Sequence, residues 1–319
     1  MEAPAAQHYI PIFIDVKPSE DLRPLTGQTM CFVGMLANSM EGIAGLKQFK
    51  KTRTIKRKLK AANRIVEALS DGSLALDGIA VTGKMNGHFA HWACDAVDRN
   101  RNELEGEWQL EDGKPTHLLW NGHSYPRDTA LGLSIYANML PIIGLQSARL
   151  CKNEYPKHMK LALDQLPHCS ERGTSFMDAL LGSDKDIQSM WDRNRKWGHT
   201  FELGVFESYR AQDANTITAK EHPNSVLVDW LAASCMAKVD PEQLKAESGF
   251  TDDQVAIIAE IWDALNHHGS SEMINVDDAE LAKMVTAHAA KHYDSSLDTA
   301  SENSELVNQT PEARGETSK

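Results

Sequence analysis

The chain has 319 residues, of which 41% are hydrophobic and 24% are charged. This much apolar material can bury a sizeable core, which excludes a chain that is disordered throughout. The net charge is −12, and all of it lies in residues 240–319, where 17 Asp and Glu stand against 5 Lys and Arg. A neutral body with an acidic end lacks the footprint of a strongly basic nucleic-acid-binding protein, although the positive charge is locally concentrated.

The weakly polar stretch at residues 131–145 is shorter than the roughly 18 to 20 residues that span a bilayer. The first residues show no cationic segment followed by a long apolar run, so no signal peptide is expected. The five cysteines form no C-x-x-C pair, which favours reduced, mostly buried thiols. These features predict a soluble, cytoplasmic protein without a membrane partner.

The predicted elements alternate between strands and helices. Short apolar runs between turn signals predict strands at residues 9–14, 30–37, 74–82, 158–163 and 200–206. Helical patterns cover residues 41–69, 87–104, 128–150, 175–196, 252–266 and 277–293, and a further helix begins near Ser225 with Asn224 or Ser225 as its N-cap. The Gly- and Pro-rich residues 105–127 are expected to form a loop or insertion.

This order predicts an α/β fold with a sheet of about five strands flanked by helices. We expect an α/β domain at residues 1–240, a helical extension at residues 241–293, and a disordered acidic tail at residues 294–319.

Three acids stand beside apolar segments. Asp15 follows IPIFI, Asp164 follows MKLAL, and Asp229 interrupts the apolar start of the helix near Ser225. A carboxylate in such a place is costly unless it is paired, hydrogen-bonded or bound to a metal. Acids at the ends of parallel strands, with a third on a neighbouring helix, could hold Mg²⁺ or Mn²⁺. Each could instead be a turn residue or a helix cap.

The stretches IPIFIDVKPS, HMKLALDQ, FELGVFESY and NSVLVDWLAAS follow one another with Asp on the first and fourth strands and on the last helix. This order is similar to the ribonuclease-H-like fold. More narrowly, residues 8–240 resemble the bacterial family labelled domain of unknown function 3800. Members of that family open with an apolar strand ending in Asp-Glu-Ser and close with a helix reading roughly LQxADLIA.

The resemblance implies a mixed sheet and a metal-dependent nuclease. Asp15, Asp164 and Asp229 would hold one or two Mg²⁺ or Mn²⁺ ions that activate water and stabilise the leaving oxygen of a DNA or RNA phosphodiester.

Two departures from the family pattern bear on this activity. Val16-Lys17 replaces Glu-Ser, and Thr54-Ile55-Lys56 lacks the Glu that the family often carries before Ile-Lys. These departures are compatible with two interpretations. Other acids could replace the missing ligands, with Glu20, Asp21 or Glu207 as candidates, or the protein could be a catalytically inactive member of the family.

Residues 47–64 hold nine of the 33 Lys and Arg and no acid. On one continuous helix, four of them would share a face at steps of three and four residues: Lys50, Arg53, Arg57 and Lys60. This stripe is a candidate nucleic-acid-binding surface. It could equally be a solvated face or a partner for the acidic C-terminal region, where contact would be autoinhibitory.

Two further patterns suggest little chemistry. His88, His91 and Cys94 recur every three residues, but no second cluster completes a zinc site. Neither a phosphate loop nor a dinucleotide fingerprint occurs. The competing function is therefore a non-catalytic binding or assembly protein on the same fold, with the basic helix and the acidic C-terminal region as interaction surfaces.

Overall fold

The computed structural model describes a part of the chain that lies within the first of two compact units, residues 1–275. The described residues are 10–17, 27–37, 46–47, 49, 53–84, 106–127, 129–130, 139, 142–143, 158–163, 200–202, 223–268 and 270–275.

Nine strands form two sheets in this part of the chain. Their bounds are β1 Ile10–Lys17, β2 Thr29–Ala37, β3 Leu76–Lys84, β4 Glu107–Glu111, β5 Lys114–Trp120, β6 His123–Pro126, β7 His158–Leu163, β8 Thr200–Glu202 and β9 Ser271–Asn275. The larger sheet has six strands in the order β8-β7-β1-β2-β3-β9. Strand β2 runs antiparallel to β1 and β3, whereas the β1–β7, β7–β8 and β3–β9 pairs are parallel. The α/β class is confirmed. In the described part of the chain, the larger sheet contains the five predicted strands and, in addition, β9.

Residues 105–127 do not form the expected loop. They contain β4, β5 and β6, which make a separate antiparallel sheet in that order. The two turns are Asp112-Gly113 and Asn121-Gly122, and all four residues have positive φ. Asp-Gly and Asn-Gly are the strongest local signals for a two-residue hairpin, so these glycines mark hairpin turns and not the predicted loop.

Four helices are complete in the described residues: α1 Ile55–Ser70, α2 Pro223–Val239, α3 Pro241–Ser248 and α4 Asp252–His267. The prediction of α4 is confirmed to within one residue. Helix α2 begins at Pro223, so Asn224 and Ser225 lie in its first turn and are not its N-cap. Helix α3 was not predicted, although Asp240-Pro241 and Gly249 are typical start and stop signals.

Helix α1 begins at Ile55 and not at residue 41. Phe49 and the neighbouring residues 46–47 are not helical. The backbone of this segment is used in tertiary hydrogen bonds: the Phe49 N–H donates to the Asp229 carboxylate, and the Lys47 carbonyl accepts from Trp230 Nε1. These bonds to α2 take the place of helical ones, which the local sequence could not reveal.

The core lies between the larger sheet and the helices. Phe13, Val33 and Ala80 on one face of the sheet belong to the same buried cluster as α1, α2 and α4. Helix α2 is buried on nearly all sides, as expected for a helix that is apolar all round. A Cβ at Gly78 of β3 would lie 3.1 Å from Leu231 and 3.2 Å from Leu265, so glycine lets the helices approach the sheet closely.

Helices α3 and α4 and strand β9 belong to the same compact unit as the rest of the sheet. The sequence pattern predicts instead a helical extension that begins at residue 241. Their side chains complete the core, because Leu244, Val255, Ile258 and Trp262 are all buried in the cluster beneath the sheet. None of the helices in the described part of the chain is both long and apolar enough to cross a membrane.

Candidate functional site

One face of β1 carries two charged side chains toward α2. Side chains alternate along a strand, so Phe13, Asp15 and Lys17 share this face. The strand continues to Lys17, and Asp15 pairs with Val33 in the middle of the β1–β2 ladder. Asp15 therefore lies inside the strand. The predicted position, directly after a strand that ends at residue 14, is wrong. The longer strand also brings Lys17 onto the same face as Asp15.

The ammonium group of Lys17 lies between two of the predicted site acids. Its Nζ atom is 2.6 Å from Asp229 Oδ1 and 3.5 Å from Asp15 Oδ2. Lys17 is only 4% exposed, and the two acid side chains are 6% and 11% exposed. Asp15 and Asp229, which are predicted as ligands of a shared metal ion, thus both contact the same lysine.

The charge state of Lys17 is set by these neighbours. Burial by itself lowers the pKa of a lysine because it penalises the charged form. Here the charges of Asp15 and Asp229 and their hydrogen bonds outweigh burial, and they raise the pKa of Lys17 above its usual value. The raised pKa favours the charged form of Lys17 at physiological pH.

The second oxygen of Asp229 is also engaged. Asp229 lies in the first half of α2, and its Oδ2 accepts a hydrogen bond from the Phe49 N–H. The next residue, Trp230, donates from Nε1 to the Lys47 carbonyl at 3.1 Å. Two adjacent residues of α2 therefore fix the chain segment that precedes α1, which gives Asp229 a clear structural role.

An aromatic cluster covers this site. The Phe49 ring makes edge-to-face contacts with Trp230, centroid to centroid 5.1 Å, and with Phe250, 5.9 Å. Lys58 of α1 places its Nζ 4.2 Å from the Phe49 centroid, a cation–π distance. Burial lowers the pKa of Lys58, although the Asp229 charge acts in the opposite direction. The Phe49 ring also lies 5.7 Å from Lys17 Nζ, centroid to nitrogen, so it contacts the buried ammonium as well.

The residues at this centre do not fit a divalent cation. Mg²⁺ and Mn²⁺ require several oxygen ligands, and the near oxygen of Asp229 already contacts an ammonium group at 2.6 Å. A metal ion bound to that oxygen would lie close to the Lys17 ammonium, and the repulsion between the two cations would oppose its binding. Within the described residues, no three His, Cys, Asp or Glu side chains are grouped closely enough to hold a metal ion.

The third predicted acid, Asp164, lies outside the described residues. The residue before it, Leu163, pairs with Ile14, the residue before Asp15, in the parallel β1–β7 ladder. The replacement ligands Glu20, Asp21 and Glu207 and the histidine–cysteine pattern at residues 88–94 also lie outside the described residues.

The predicted basic stripe is not on one helix. Arg57 and Lys60 belong to α1, Arg53 precedes it, and Lys50 lies outside the described residues. Because the helix begins at Ile55, the face shared at steps of three and four residues does not extend back to Arg53. The exposed bases of α1 itself are Lys56, Arg57, Lys60 and Arg64.

Two of the five cysteines lie in the described part, and both are free and buried, as predicted. Cys31 of β2 and Cys235 of α2 are neighbours in the core, and burial raises the pKa of the Cys31 thiol.

Comparison with known proteins gives no relative: no family model, curated protein or solved structure matches this chain. The site must therefore be interpreted from its own geometry.

Sequence reasoning missed Lys17 as the central residue of this site. It was noted only as a departure from a family pattern. The available signal was its position two residues after Asp15, which in a continuing strand puts both side chains on the same face.

Proposed function

We propose that this chain is a non-catalytic binding protein built on a ribonuclease-H-like sheet. Support for the fold comes from the strand arrangement, in which the antiparallel strands β3, β2 and β1 continue into the parallel strands β7 and β8. This arrangement agrees with the resemblance to the domain of unknown function 3800 family, with Asp15 on the first strand and Asp229 on the later helix.

The observation that carries the proposal is the position of the Lys17 ammonium, 2.6 Å from Asp229 and 3.5 Å from Asp15. In a metal-dependent nuclease the carboxylates converge on divalent cations that activate water. Here a tethered monovalent cation contacts the same two carboxylates and compensates one of their two negative charges, and an ammonium group cannot coordinate and activate water. The centre then stabilises the fold by joining β1, α2 and the segment before α1.

The test is a thermal melt of the wild type and of Asp229→Asn, each in EDTA and in millimolar Mg²⁺ or Mn²⁺. We expect neither ion to stabilise the wild type. We expect Asp229→Asn to lose about 3 kcal/mol with and without metal, because the substitution removes the closer counter-charge of a buried ammonium.

The matched control is Asp263→Asn, which removes an acid that is 54% exposed and pairs with Lys238 at the surface. This variant should change stability by less than about 1 kcal/mol. Metal-dependent stabilisation of the wild type that disappears in Asp229→Asn but persists in Asp263→Asn would overturn the proposal and favour a metal-dependent nuclease.

A further inference from the structure

A groove with a basic side lies between α1 and α4. It has a volume of about 600 Å³. Lys56, Lys60 and Arg64 line it from α1, together with Ile55 and Leu59, and α4 contributes Gln254. We call this the α1–α4 groove.

The three bases form a regular row. They are spaced by four residues, so at 1.5 Å rise per residue they follow one another at intervals of about 6 Å along the helix. All three are exposed. Glu67, at the far end of the groove, is the one acid in α1.

The local sequence of α1 opposes helix stability at its start. Its first turn contains no acid, although negative charge is favoured at a helix N-terminus, and the N-cap Thr54 makes no side-chain hydrogen bond. Helix α4 shows the favourable alternative, with Asp252 and Asp253 in its first turn and the Gln254 side chain accepting from the Thr251 N–H at 3.2 Å. Positive charge at a helix N-terminus reduces local stability, and residues that reduce local stability are typical of binding surfaces.

We propose that the α1–α4 groove binds the phosphate backbone of nucleic acid. A regular row of three exposed cations is complementary to a polymer with regularly spaced negative charges. An acidic protein partner is less well matched, because protein interfaces depend on anchors in pockets, and the apolar residues here are limited to Ile55 and Leu59. This proposal rests on the proposed function in one respect: the bound strand is not cleaved.

The experiment measures binding of a fluorescein-labelled 20-nucleotide single strand by anisotropy over a range of salt concentrations. Three neutralised phosphates predict a slope of log K against log salt of about −2. Lys60→Ala should weaken binding several-fold at low salt and reduce the slope by about 0.7.

The matched control is Arg57→Ala, which removes an exposed base from the same helix that does not line the groove. It should change affinity and slope less than Lys60→Ala does. Lys56→Glu provides a second test: it should weaken binding while it raises the melting temperature, since it places an acid in the first turn of α1. Binding loss in that variant cannot come from unfolding.

Equal effects of Lys60→Ala and Arg57→Ala, absence of binding, or stronger competition by polyglutamate than by an unlabelled strand of equal charge would each overturn the groove assignment. The same oligonucleotide is incubated with Mn²⁺ and its length is read on a denaturing gel. Cleavage together with groove-dependent binding would overturn the proposed non-catalytic function and leave the groove assignment standing. A strand that is neither bound nor cleaved would overturn the groove assignment and leave the proposed non-catalytic function standing.

Discussion

At the scale of single residues, Lys17 decides what the acidic centre does. Asp15 and Asp229 are buried carboxylates of adjacent elements, and without a cation between them their repulsion would be severe. The lysine supplies that cation from within the strand. Its raised pKa keeps it charged, so its stabilising contribution is complete below the usual lysine value of about 10.4 and declines as the pH rises above it.

The first prediction concerns Lys17→Met, a substitution that roughly keeps the length of the side chain and removes its charge. We expect the free energy of unfolding to fall by about 3–5 kcal/mol at pH 7, because two buried carboxylates lose their counter-charge. Urea unfolding of wild type and variant between pH 7 and pH 4 measures this loss.

Lys58→Met is the matched control, since Lys58 also contacts the Phe49 ring but is only partly buried. Its cost should be about 1 kcal/mol and independent of pH in this range. If the two variants behaved alike, the buried charge of Lys17 would not be the source of its contribution.

At the scale of elements, Asp240 attaches α3 to the end of the sheet. Its Oδ1 caps the helix by accepting from the Gln243 N–H at 3.0 Å, and its Oδ2 accepts from Thr29 and from Lys84 Nζ, the latter at 2.9 Å. The Gln243 side chain bonds both the N–H and the carbonyl of Thr29. Burial opposes ionisation of Asp240, but the bonds from Thr29, Lys84 and Gln243 outweigh it and lower the pKa of the carboxyl.

The second prediction is that Asp240→Asn costs about 1 kcal/mol at pH 7. Asparagine caps a helix about as well as aspartate, so the loss reports the charge alone. Because the folded-state pKa is depressed, the contribution of the carboxylate is present above the unfolded value of about 3.9 and is lost as the pH falls further. The free energies of unfolding of the wild type and of Asp240→Asn, measured by denaturant melts, should therefore converge between about pH 4 and about pH 2.

Asp253→Asn serves as the control, because Asp253 is an exposed acid in the first turn of α4. A difference for Asp240→Asn that stayed constant down to the lowest pH would contradict a role for its charge.

At the scale of the whole molecule, the larger sheet is completed by residues distant in sequence. Strand β9 pairs in parallel with β3 from Gly78↔Ser271 to Thr82↔Asn275, and Met273 packs against the core. Residues after 294 are polar, with few large apolar side chains. We therefore expect β9 to contribute much more to the stability of the fold than the residues after 294.

The third prediction compares two truncated chains. Ending the chain after residue 294 should leave the melting temperature within about 2 °C, because a polar tail buries little area. Ending it after residue 269 removes β9 and should lower the melting temperature by several degrees or prevent folding. A large loss on the shorter deletion would show that the tail contributes to the folded structure.

Features that depend on local pattern could be predicted from the amino-acid sequence. The strand at residues 158–163, the helix near residues 252–266 and the α/β class follow from apolar periodicity and turn residues. The need of Asp15 and Asp229 for a counter-charge or hydrogen bonds also followed from their positions beside apolar segments. The hairpins of β4–β6 were within reach of the sequence, since their Asp-Gly and Asn-Gly turns are local signals.

The remaining features depend on contacts between segments that are distant in sequence. The start of α1 depends on hydrogen bonds from residues 47 and 49 to α2, some 180 positions away. The length of β1 depends on its ladder with β2, and that length puts Lys17 on the face of Asp15. Whether a metal ion or a lysine lies between the carboxylates is thus settled by contacts between distant segments, which local propensity does not encode.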